Sequence, residues 1–166
     1  MPDNTSTYDV YQGILFEILP NPVTAVTRIF AAAAADAPAG SSRVFYEKVF
    51  AVNNNTATAL TSVQVEVLSE SPSLPSGALL DLALCKSLND VQTAANRQTL
   101  PTNGDASALT FVTQPSLISI VSPGNLPSGA APNAAGAQGM WLRLTLPAGT
   151  SAYKGAATMR TLGTTT

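Results

Sequence analysis

Residues 62–68 read SVQVEVL, and residues 140–146 read MWLRLTL. In the first, Val63, Val65 and Val67 alternate with Gln64 and Glu66. In the second, Met140, Leu142, Leu144 and Leu146 alternate with Trp141, Arg143 and Thr145. A period of two is the spacing of a β-strand, whose successive side chains point to opposite faces. Each stretch therefore predicts a strand with one face on a core and one turned outward. Residues 80–84 repeat the pattern, with Leu80, Leu82 and Leu84 split by Asp81 and Ala83. Residues 44–52 (VFYEKVFAV) are apolar on both faces, with Glu47 and Lys48 their only charges, and suit a central strand.

Outward from these runs, turn chemistry recurs. Pro20-Asn21-Pro22, Pro38-Ala39-Gly40, Asn53-Asn54-Asn55, residues 72–77, Asn103-Gly104 and Pro147-Ala148-Gly149 all read as turns or loops. Further strand candidates are residues 13–19, 25–30, 108–113, 117–121 and 156–162. Short strands separated by breakers predict an all-β fold, an immunoglobulin-like or jelly-roll antiparallel two-sheet sandwich. Residues 1–22 form an N-terminal arm or edge strand ahead of a sandwich domain over 23–166. Residues 123–139 (PGNLPSGAAPNAAGAQG) predict a long loop, a feature usually functional or mobile. Ser87-Leu88-Asn89-Asp90 resembles a capping box, so residues 91–97 fit either a short helix or a plain loop.

Composition narrows the function classes. Charged residues are 11% of the 166, less than half of the roughly 25% usual for soluble domains. Apolar residues are 45%, and the formal net charge is −2. A lone protein so weakly charged is poorly protected against self-association, whereas low charge costs little on surfaces covered by other subunits. The eight Lys and Arg are scattered with no interleaved aromatics, which gives nucleic acid no electrostatic footprint. No apolar run approaches the roughly 20 residues of a membrane span. The polar start, Met-Pro-Asp-Asn, lacks the regions of a secretory signal.

Histidine is absent and cysteine occurs once, as Cys85 in an apolar run. A histidine-based triad cannot be assembled from such a chain, nor can a structural zinc site. No phosphate-cradling glycine motif or calcium loop is present. Glu66 and Glu70 are the only close acidic pair, and at a strand end they read as solvated. The expectation is a protein that is not an enzyme, with no catalytic residue, metal or cofactor.

The aromatics supply the contact candidates. Tyr8, Tyr11 and Phe16 stand in the otherwise polar start, where an arm lying on a neighbouring subunit would use them as anchors, while packing onto their own domain is the alternative. Phe45, Tyr46 and Phe50 read as core. Trp141 falls on the nominally outward face of its strand, either covering the second sheet or serving as a contact residue.

Two stretches carry a family likeness. Residues 43–53 (RVFYEKVFAVN), followed by the strand at 63–67, resemble strands of small immunoglobulin-like domains in structural proteins of tailed bacteriophages. Residues 139–155 (GMWLRLTLPAGTSAYKG) resemble a second signature of such proteins, Gly-x-Trp-apolar-Arg running into Pro-Ala-Gly. The resemblance covers about two thirds of the chain, from Arg43 onward, and carries over no catalytic or ligand-binding residue. It implies a virion structural role and does not by itself choose between head and tail; the expectation is a head decoration (cement) protein on the outer capsid surface, assembled in the bacterial host cytoplasm. Its expected partners are other virion proteins, the major capsid protein foremost, and copies of itself. A tail, collar or fibre-associated component is the nearest alternative. A carbohydrate- or receptor-binding module is an alternative of another class.

Overall fold

The structure is a computed structural model that describes residues 4–5, 14–17, 37–53, 57–71, 73–88, 109–120, 124–127, 137–151 and 156–165. These carry nine strands: β1 (Asn4–Thr5), β2 (Ile14–Glu17), β3 (Arg43–Asn53), β4 (Leu60–Ser71), β5 (Leu79–Leu88), β6 (Val112–Thr113), β7 (Ile118–Ser119), β8 (Ala137–Leu146) and β9 (Ala156–Thr165). One sheet has the order β1-β9-β4-β7 and the other β2-β3-β8-β5-β6, with every pairing antiparallel. No helix occurs among the described residues. The candidate helix at 91–97 and the candidate strand at 25–30 lie outside them.

The period-two runs form the long strands, and their apolar faces meet. Val63, Val65 and Val67 of β4 and Met159 of β9 pack against Phe45, Val49 and Ala51 of β3. Leu80 and Leu82 of β5, with Met140, Leu142, Leu144 and Leu146 of β8, complete the cluster. The fold is thus the expected two-sheet sandwich, its core filled by facing rows of branched side chains. Each outer long strand is flanked by a short one: β1 spans two residues of β9, β7 two of β4, β2 four of β3 and β6 two of β5. Short edge strands limit the unpaired backbone available to another chain.

Alternation predicts that the far face of the five-stranded sheet is open. Instead it carries a second cluster, in which Trp141, Ala83 and Cys85 pack with Tyr46, Leu109 and Phe111. Phe50 lies on this face too and is 1% exposed. Ala83 stands directly opposite Trp141 in the ladder, and so small a neighbour leaves room for the indole to lie along the sheet. The sheet is therefore covered on both sides at its centre, which explains why β8 is buried at almost every position.

Three local devices hold the strand ends. At Ser62 the backbone takes φ of 53°, and the β4–β9 register shifts between Thr61 and Gln64. The bulge frees Val63 to donate to Gly124 (2.7 Å) and to accept from Ile120 (3.0 Å). Gly163 faces this bulge, where an added Cβ would stand 3.2 Å from a Val63 methyl and 3.3 Å from the Thr61 carbonyl. Asn53, fully buried, donates from Nδ2 to the carbonyls of Thr58 (2.9 Å) and Leu126 (3.1 Å), closing the β3–β4 connection. Gln138 fills the irregularity between Leu84 and Leu88 by donating from Nε2 to the Cys85 and Gly139 carbonyls.

The expected loop over 123–139 is shorter than its composition indicates. Residues 137–139 extend β8, and Leu126 exchanges two backbone bonds of 2.9 Å with Leu60. Gly and Ala there are strand residues, because the neighbouring strands fix a backbone that their own propensity would not.

Candidate contact surfaces

Three charged side chains of the long strands, Asp81, Lys48 and Glu66, are drawn inward, and the reason is local pairing. Asp81 of β5 is 1% exposed and faces Arg143 of β8 directly across the ladder. The Arg143 Nε and Nη2 both lie 2.8 Å from Asp81 Oδ2, while the Thr113 hydroxyl donates to Oδ1 at 2.7 Å. The guanidinium also lies over the Phe111 ring, 4.3 Å from its centroid. Lys48 of β3 is 3% exposed, its Nζ 5.2 Å from the Trp141 ring centre and 5.6 Å from that of Phe50. In the other sheet Glu66 is 5% exposed and ion-paired with Arg160. The solvated reading of Glu66 is corrected by this pairing: it sits mid-strand beside β9 rather than at a free end.

What remains outside is unusual. Among the described residues classed as exposed, Lys86 is the only charged one, and the rest are Ser, Thr, Pro, Ala, Gly and Leu. The large apolar residues among them are Leu79 (47%) and Leu117 (41%).

A rigid element organises one end of the sandwich. Pro38-Ala39-Gly40-Ser41, Pro75-Ser76-Gly77-Ala78 and Pro147-Ala148-Gly149-Thr150 share one pattern, Pro-small-Gly-small. In each, the fourth N–H donates to the first carbonyl, at 3.3, 2.9 and 3.2 Å. The third-position glycine takes φ of 93°, 77° and 75°, the left-handed region that a type II turn requires. The turns are joined to one another. Ala37 donates to the Thr150 carbonyl and Gly149 to that of Pro38, both at 3.0 Å, while Gly77 sits against the Pro147 ring. Between the second and third turns lies a recess of about 420 Å³ lined by Pro75, Ser76 and residues 147–151. None of the described residues in these turns is charged. Sequence reading found the turns singly and missed that they converge. The signal was present in the repeated Pro-Ala/Ser-Gly tetrad, but only the sheet order brings the three copies together.

Of the four sequence-based contact candidates, Tyr8 and Tyr11 lie outside the described residues. Phe16 falls in β2, paired with Ala51 of this chain's own β3. Trp141 is 1% exposed, so its ring is covered within the chain rather than open to a partner. The described parts of the arm, β1 and β2, are edge strands of the two sheets. Cys85, the lone cysteine, is buried. Among the described residues no group of three His, Cys, Asp or Glu is placed to hold a metal ion, and no helix is long and apolar enough to cross a membrane.

The chain matches no family model, no curated protein and no solved structure.

Proposed function

We propose that the chain is a non-enzymatic structural protein of a bacteriophage particle, a decoration protein on the outer surface of the head. The observation that carries this reading is the scarcity of open charge: among the described residues Lys86 is the only charged one fully exposed, while Arg143 and Arg160 are half-buried in ion pairs. A free soluble domain keeps roughly a quarter or more of its surface charged, which holds copies apart. A surface of hydroxyls, prolines and small apolar residues has few ions to desolvate and is suited to burial against neighbours. The phage-like strand blocks at 43–53 and 139–155 support the particle in question. The mechanism is mass action: a subunit that binds the assembled lattice and not its dissociated parts stabilises the lattice.

The test is mass spectrometry of gradient-purified virions whose genome encodes the chain, followed by immunogold labelling. The reading requires the chain in intact particles with label over the head. Label confined to the tail would replace the head assignment with the tail, collar or fibre one. Absence from intact particles would overturn the structural role altogether.

A further inference from the structure

We infer that Lys86 guards a strand edge: its charge keeps copies of this chain from pairing with one another through β5. The role goes beyond the particle reading and does not depend on it. The two sheets close their neighbouring edges differently. On β4, Leu60 exchanges backbone bonds with Leu126, Val63 donates to Gly124 and accepts from Ile120, and β7 pairs with Gln64 and Val65. Beyond these, the Val67 N–H donates to Gln114 Oε1. On β5, Leu80 accepts from Gln114, β6 pairs with Asp81 and Leu82, and the ladder then stops. Continuing its register would set Phe111, Thr110 and Leu109 opposite Ala83, Leu84 and Cys85. Instead residues 109–111 are not strand, and Leu109 and Phe111 pack on the sheet face with Ala83, Cys85 and Trp141. Among the described residues no strand flanks residues 83–88 on that side. On the other side the pairing with β8 is irregular between Leu84 and Leu88.

Lys86 stands in the middle of this stretch and is the only exposed charged residue among the described ones. A strand edge is a template on which another chain can add a strand, and a lysine there opposes the addition because pairing strips water from its ammonium group. The chain most able to add is a second copy, which brings an identical edge. Two β5 edges paired antiparallel about a twofold axis bring each Lys86 close to its own image, so like charges meet across the new ladder. With charged residues only 11% of the chain, little else holds copies apart. The one open charge on the described surface thus lies on the strand where the ladder ends early.

Sedimentation velocity of the full chain over a wide concentration range, with wild type beside Lys86→Val, Lys86→Thr and Lys86→Glu, tests this. The Val and Thr variants should associate at least about tenfold more strongly than wild type. The Glu variant keeps a charge at the edge and should sediment as wild type does. Lys86 is exposed, so far-UV dichroism of all three stays at wild type. In the associated Val variant, hydrogen exchange should slow at the amides of residues 83–88, which places the new contact on β5. Val and Thr variants no more associated than wild type overturn the inference. So does a Glu variant that associates as strongly as the Val one, because charge is then not the cause. Association without added protection at residues 83–88 overturns it as well, since the contact then lies elsewhere. None of these results bears on whether the chain is found in virions, and its absence from virions would leave the guarded edge standing.

Discussion

Replacing Arg143 by leucine strands a carboxylate. Asp81 has a side chain 2% exposed and is held by Arg143 at two 2.8 Å contacts and by the Thr113 hydroxyl at 2.7 Å. Without the guanidinium, the buried charge keeps one neutral donor, and removing one partner of such a pair costs about 3–5 kcal/mol. The opposite change, Asp81→Leu, leaves Arg143 with a side chain 33% exposed, so the guanidinium turns to water while its stem stays on Phe111. Its cost is that of the lost charge-assisted bonds, about 1.5–3 kcal/mol. Changing both residues to leucine removes the ions together and leaves a pair of apolar groups on a face that already holds Phe111. That double variant lies within about 1.5 kcal/mol of wild type. Urea unfolding followed by far-UV dichroism and by the fluorescence of Trp141, the lone tryptophan, measures all three. Arg143→Leu alone should lower Tm by roughly 6–20 °C for a chain of this size. Equal losses from the two single variants, or a double variant as unstable as their sum, would refute the account of a buried acid held by a half-exposed base.

Other expectations follow from the same packing. Leu142→Asp buries an unpaired charge between the sheets and prevents folding; a wild-type melting curve would remove β8 from the core. Gln114 clips the sheets together, its N–H donating to Leu80 of one and its Oε1 accepting from Val67 of the other (2.7 Å), so Gln114→Ala costs about 1–3 kcal/mol in denaturant titration. Ser62→Gly relieves the left-handed backbone and stabilises by up to about 1 kcal/mol, whereas Ser62→Val destabilises by at least as much; the reverse order would mean that the bulge is not built this way. Deleting residues 1–11 removes β1 alone of the described strands, and the proposed arm predicts a folded protein with weakened particle association. Unweakened association would move the contacts to the turns.

The sequence determined the strands and their inward faces by itself. Valine, leucine and methionine at every second position fix a period that only an extended chain buries on one side, so the core rows of β4, β5 and β8 were legible without coordinates. The scarcity of charge and the absence of histidine were equally plain. The outward rows were not legible, because whether Trp141, Asp81 or Lys48 meets water depends on what crosses the far face of the sheet. Period two marks which residues share a face and says nothing about a second layer beyond it. Leu109 and Phe111 arrive on that face from another part of the chain, and Arg143 pairs with an acid 62 residues away. The turn-bearing end has the same origin. Each Pro-small-Gly tetrad encodes its own bend through a ring that fixes φ and a glycine that tolerates the left-handed region. Their meeting at one end was decided by the sheet order, which sets β8 between β3 and β5 and pairs β4 with β9, so that loops distant in the chain close the same end of the sandwich.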